Sequence, residues 1–219
     1  KDDFNVTTIR LDVIPYELYD NIRGIELHRN IDLSSIKHKL PKKLESLIVC
    51  NGKNMDGLPP KLKKLMISDI NFNSSLNNLP SSLNCLGFTD GSIFNQSIDK
   101  LPHNLKYLDL RITFNQPIDN LPNNLIYLRL GYNFNQPINN LPPKLETLEL
   151  GKAFNYPINN FPSSIKSLKI GSDFNHPLNN LPSNLLYLEL CSHTGHTINY
   201  IPKTIETLII YNEDDFIID

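Results

Sequence analysis

The chain has 219 residues, 40 % of them apolar, with 21 Lys+Arg against 23 Asp+Glu and a formal net charge of −2. That balance argues against a nucleic-acid binder, which normally carries a basic stripe. The longest apolar runs, such as Thr207-Leu-Ile-Ile-Tyr211, are far too short to span a membrane.

The first predicted strand is a degenerate motif, Val6-x-x-Ile9-x-Leu11, and the second is Ile22-x-x-Ile25-x-Leu27. From Pro41 onward the pattern becomes regular. A proline follows an apolar residue at 41, 59, 80, 102, 122, 142, 162, 182 and 202, so the intervals are 18, 21, 22 and then 20 five times. Three residues after each proline comes a Leu/Ile-x-x-Leu-x-apolar motif, as in Leu105-Lys-Tyr-Leu108-Asp-Leu110 and Ile165-Lys-Ser-Leu168-Lys-Ile170. This is leucine-rich-repeat spacing in ten clear copies and one degenerate one.

The last four motif residues alternate inward and outward, as in a strand with one buried face. A coil of about 20 residues leaves no room for a regular helix on its back, and each proline breaks what remains. The expected fold is therefore a repeat solenoid. It is a leucine-rich-repeat horseshoe with one short parallel strand per coil and few or no helices on the convex side. A single domain is expected over residues 1–219, with irregular coils or a cap over 1–40 and a cap or tail over 211–219.

Between strands a Phe-Asn-x-Pro block recurs. Phe72, Phe94, Phe114, Phe134, Phe154 and Phe174 occupy one coil position, and Ile98, Ile118, Ile138, Ile158, Leu178 and Ile198 another. Both series are expected to stack as internal columns, each coil's apolar face sealed by its neighbours. The asparagines that follow the phenylalanines, Asn73 to Asn175, are expected to satisfy backbone groups of adjacent turns.

This combination closely resembles the FNIP repeat family, a divergent branch of leucine-rich repeats. Gly-x-x-Phe-Asn at Gly91, Gly131, Gly151 and Gly171 fits that family, with Arg111 replacing the glycine once. The resemblance covers roughly residues 58–210. It weakens over Cys191–Tyr200, where Thr194-Gly195 stands for Phe-Asn and Thr197 for Pro, and the N-terminal fifty residues match only the Leu pattern. The resemblance implies a source among giant DNA viruses or social amoebae. It also implies frequent fusion to an N-terminal F-box, which engages a Skp1-type ubiquitin-ligase adaptor. The sequence starts at Lys1, and an F-box upstream of it is part of that expectation. The rhythm also resembles the 20-residue repeats of bacterial effector proteins, which are binding scaffolds too.

No phosphate-binding loop, Gly-x-Ser-x-Gly elbow or His-Glu-x-x-His motif occurs, and His28, His38, His103 and His176 fall at different coil positions. Neither an enzymatic activity nor a cofactor is expected. A carbohydrate site would lack any tryptophan platform. Cys50, Cys85 and Cys191 are irregularly spaced, which fits a reducing, cytoplasmic setting rather than a disulfide framework. Cys191, His193 and His196 have the look of metal ligands without the second half of a zinc site, and are read as solvent-facing substitutions.

The strand positions that point outward form a column: Arg10, Glu26, Ile48, Met66, Gly87, Asp109, Arg129, Glu149, Lys169, Glu189 and Ile209. From Asp109 the sign alternates at every coil. Tyr107 and Tyr127 lie beside Asp109, Arg111 and Arg129, with Ile48 and Met66 extending the patch toward the N-terminus. Tyrosine and arginine dominate interface energetics. These seven residues are the expected protein-binding surface on the concave face. The rival expectation is a self-associating scaffold, with Phe216-Ile-Ile218 pairing with a second chain.

Overall fold

The computed structural model describes residues 8–13, 15, 18–191 and 201–211. The expectations for Val6, for His193, His196 and the rest of the divergent block from 192 to 200, and for Phe216–Ile218 fall outside those residues; Cys191, expected to face solvent, is described and is buried at the end of its strand.

The Leu-x-x-Leu-x-Leu copies form one sheet of eleven parallel strands in strict sequence order. The first five are β1 (Thr8–Leu11), β2 (Gly24–Leu27), β3 (Ser46–Val49), β4 (Lys64–Ile67) and β5 (Cys85–Phe88). The rest are β6 (Tyr107–Asp109), β7 (Tyr127–Leu130), β8 (Thr147–Leu150), β9 (Ser167–Ile170), β10 (Tyr187–Cys191) and β11 (Thr207–Tyr211). Each motif leucine lies beside its counterpart, Leu108↔Leu128↔Leu148↔Leu168↔Leu188. A slip of one residue would turn every leucine outward, so burial fixes this register.

The prolines start the strands. Leu105, Leu125, Leu145 and Ile165 donate their backbone N–H to the carbonyl of the proline three residues earlier, at 3.0–3.1 Å. Each such turn swings the chain into its strand. The next backbone N–H groups already reach the previous coil, as in Ile126 N–H to Lys106 O at 2.8 Å. Among the described residues helix is confined to α1 (Leu33–Ile36) and a 3-10 turn at Lys37–Lys39. Asp32 caps α1 by accepting a hydrogen bond from Ser34 N–H at 2.8 Å.

Inside the coils the phenylalanines form a continuous stack. Phe94, Phe114, Phe134, Phe154 and Phe174 are fully buried, with successive ring centroids 6.0–6.2 Å apart and planes within 8° of parallel. Burying one such ring contributes roughly 1.5–3 kcal/mol. Neighbouring strands in a sheet are only about 4.8 Å apart. The ring column is wider, so the coils fan open toward the phenylalanines and the sheet lies on the inner, concave arc.

The asparagine after each phenylalanine is a splice between coils. Asn73 Oδ1 accepts from Asn95 N–H, Asn95 from Asn115, Asn115 from Asn135, Asn135 from Asn155 and Asn155 from Asn175, all at 2.9–3.0 Å. The irregular backbone of one coil is thus satisfied by the side chain of the coil before it.

Glycines at one sequence spacing serve two purposes. A Cβ on Gly131 would come within 1.3 Å of Arg111 O, on Gly151 within 2.3 Å of Gly131 O, and on Gly171 within 2.4 Å of Gly151 O. These three let one coil's backbone settle onto the next. Gly91 instead has φ +77°, and a Cβ there would meet only Ile70 Cγ2 at 3.9 Å. Its coil is 22 residues long, and the extra two residues need a left-handed turn rather than close stacking. Arg111 adopts φ 52° itself, with its side chain held in three places described below.

Candidate functional site: the concave sheet face

Strand register places the outward column as one file across the sheet, Glu26↔Ile48↔Met66↔Gly87↔Asp109↔Arg129↔Glu149↔Lys169↔Glu189. The tyrosines stand in the adjacent file, with Tyr107 opposite Tyr127. Sheet geometry, not loop conformation, therefore positions all of them.

Five of the seven expected residues come together. The rings of Tyr107 and Tyr127 are 6.4 Å apart, tilted by 33°. Tyr107 remains 48 % exposed, whereas Tyr127 is half-buried and donates its hydroxyl to Glu149 Oε1 at 2.9 Å. Arg111 reaches back to the preceding coil. Its Nε donates to Phe88 O at 3.1 Å and lies 3.2 Å from Asp109 Oδ2, and its Nη1 lies 2.9 Å from Asp90 Oδ1. Arg129 sits between two acids, 3.8 Å from Asp109 Oδ2 and 3.5 Å from Glu149 Oε2.

Ile48 and Met66 are half-buried further along the same file. Met66 does not stand free. Its Cε and Sδ lie 3.0 and 3.3 Å from where a Cβ of Gly87 would be, so it fills the space that glycine leaves. It thereby joins the aliphatic end of the file to the charged end.

The ionisable groups are tuned mainly by burial. Burial pushes the Asp109 carboxyl up, and the Arg111 and Arg129 guanidiniums only partly pull it back. Burial first, then the neighbouring Glu149 carboxylate, hold the Tyr127 hydroxyl well above the usual phenol range. Tyr187 is pushed up to about 12 by burial and by its hydrogen bond to Glu189. All three shifts follow from placing charge where water is scarce.

Sequence reasoning did not pick out Glu149, Tyr187 and Glu189 as a functional unit. Tyr187 donates to Glu189, which pairs with Lys169 Nζ at 3.2 Å. The Lys169–Glu189 pair repeats Arg129–Glu149 two coils on, but Tyr187 donates within its own strand whereas Tyr127 donates across to the next coil. The signal was present in the two files, but pairwise charge alternation alone does not say which partner sinks and which leans out.

Among the described residues no group of three or more His, Cys, Asp or Glu side chains is placed to hold a metal ion. No helix among them is long and apolar enough to cross a membrane.

The FNIP Repeat family model matches residues 114–153 and 154–192. These two stretches are similar to FNIP repeats. Their boundaries fall at Phe114 and Phe154, two members of the ring column. Among solved structures the chain is similar to CroV588, described as a novel circular LRR protein, at 28 % identity and a TM-score of 0.72, over 88 % of this chain. It spans only 34 % of that protein. An internalin (inlF) from Listeria monocytogenes aligns at 14 % identity and a TM-score of 0.58, over 91 % of this chain and 69 % of the internalin. At that identity the likeness shows the fold alone. No curated protein matches the chain. The coils thus form a leucine-rich-repeat-type solenoid, a fold typical of protein-interaction modules.

Proposed function

We propose that this FNIP-repeat chain is a non-catalytic recognition module that binds a protein partner on its concave face, around Tyr107, Asp109, Arg111, Tyr127 and Arg129, with Ile48 and Met66 at the flank. In its finer form the reading makes it the substrate-recognition part of a ubiquitin-ligase adaptor in the cytoplasm, joined to an F-box and through it to a Skp1-type protein. The FNIP resemblance alone supports that finer form.

The observation that carries the coarser reading is the half-exposed Tyr107 ring, packed at a tilt beside a Tyr127 whose hydroxyl Glu149 already holds. A large aromatic surface on a rigid sheet loses little entropy on binding. Arg111 beside it is fixed by three acceptors, so it too arrives ordered.

Partner capture from host-cell extract, followed by quantitative binding of the captured protein, tests the site. Tyr107→Ala with Tyr127→Ala weakens that binding by about tenfold or more, as for a pair of hot-spot residues, while the far-UV spectrum stays that of the parent. Unchanged affinity in a folded double variant removes the concave face from contention.

A second reading, self-association, is favoured by one observation. Leu208 and Ile210 on β11 are exposed, although their counterparts Leu188 and Leu190 are buried. Exposed apolar strand edges are templates for pairing with another chain.

A further inference from the structure

A trough of about 620 Å³ runs across the coils at the C-terminal ends of the strands, beside the tyrosine patch. Gly131, Gly151 and Gly171 form its floor. The glycines are required by coil stacking, and as a consequence no side chain rises from the floor at three successive coils, although Gly131 and Gly171 are themselves buried. From Gly131 to Tyr211 the trough crosses four coil spacings, about 19 Å, the length of about six extended residues.

Its walls carry a charge bias that the net charge conceals. On one wall the acids are drawn down. Glu149 accepts from Tyr127 and Glu189 from Tyr187, and each carboxylate side chain is only 21 % exposed. The bases that pair with them lean outward, Arg129 at 36 % and Lys169 at 40 %. On the other wall Lys152 lies 5.9 Å from the centroid of the Tyr132 ring. Between Gly131 and Gly171 a ligand therefore meets basic groups from both sides before it meets Glu149 or Glu189, whereas at the far end Asp90, 63 % exposed and paired with Arg111, also lines the trough.

We infer that the trough binds an extended acidic peptide segment of the partner, its backbone over the glycine floor and its carboxylates at Arg129, Lys152 and Lys169. This deepens the recognition reading above and rests on it, since Arg129 belongs to both surfaces. The floor admits a main chain because no side chain occupies it. The tyrosine hydroxyls set the specificity by keeping the two glutamates away from the ligand.

The test is fluorescence anisotropy at low salt with a labelled heptapeptide of Glu, which offers carboxylates to both walls, its Gln-for-Glu counterpart and its Lys-for-Glu counterpart. The acidic peptide binds about tenfold or more tightly than the Gln peptide, and the Lys peptide does not bind. Lys152→Gln with Lys169→Gln removes most of that preference, as expected when two of the three bases facing the ligand lose their charge. Added salt weakens the acidic peptide's binding. Equal affinity for the Glu and Gln peptides overturns the proposal, as does acidic binding that the double variant leaves unchanged. Equally tight binding of an oligothymidylate of the same charge also overturns it, because the trough would then be a nonspecific anion surface. If the acidic peptide fails while the tyrosine variants still release the protein partner, only the trough proposal falls. If the acidic peptide binds while the tyrosine variants retain the partner, the trough stands and the tyrosine patch falls.

Discussion

Replacing Phe134 by alanine lowers the unfolding free energy by about 3–5 kcal/mol, the range for removing a fully buried aromatic ring. The ring lies 6.2 Å from Phe114 on one side and 6.2 Å from Phe154 on the other, and it is 0 % exposed. The gap cannot collapse easily, because the Asn115–Asn135–Asn155 bonds hold the coils apart at a set spacing. In a stacked repeat each coil contacts only its neighbours, so the loss falls on two interfaces at once. The urea unfolding curve of the variant then shifts to lower concentration and broadens, as one side of the solenoid unfolds before the other. The comparison is Tyr156→Ala, two residues after Phe154 and on the surface, which changes stability by no more than about 0.5 kcal/mol. A loss of less than about 1 kcal/mol for Phe134→Ala contradicts the sealed column.

Gly131→Ala costs about 3 kcal/mol or more, although alanine is the mildest possible substitution. Its Cβ has only 1.3 Å to Arg111 O and 2.0 Å to Arg111 C, and both are backbone atoms that cannot rotate away. Overpacking a tight site costs typically about 1–3 kcal/mol, and more where the clash is with backbone. Gly91→Ala meets nothing closer than 3.9 Å and is opposed only by its φ of +77°. That change costs about 1–2 kcal/mol, the ordinary penalty of a left-handed L-residue. Thermal melts of the two variants side by side check the ordering. Equal losses would mean that coil stacking does not need the glycine, and that both sites reflect backbone conformation.

The strands and their register were legible because a leucine every 20 residues admits one arrangement that buries every copy. The asparagine splice was legible too, since a polar residue fixed beside a buried phenylalanine needs a backbone partner. The glycines were legible only as a spacing. Gly91 and Gly131 both precede phenylalanine by three residues, yet the two extra residues of the Gly91 coil shift it past the strand end and change its task. The short helix at Leu33–Ile36 was not anticipated, although Asp32 two residues before Ser34 is a capping signal. Of the candidate site, the files of residues were readable from the period. The trough was not, because it depends on which member of each ion pair a tyrosine hydroxyl pulls toward the sheet.

The central claim is that successive coils stack and close each other's apolar faces, with one aromatic ring per coil in a single file. A crystal structure of the chain tests it most directly. The account predicts Phe94, Phe114, Phe134, Phe154 and Phe174 as a buried column with near-parallel rings about 6 Å apart, behind one parallel sheet. Rings found in solvent, or leucine segments divided among separate compact units, would contradict it.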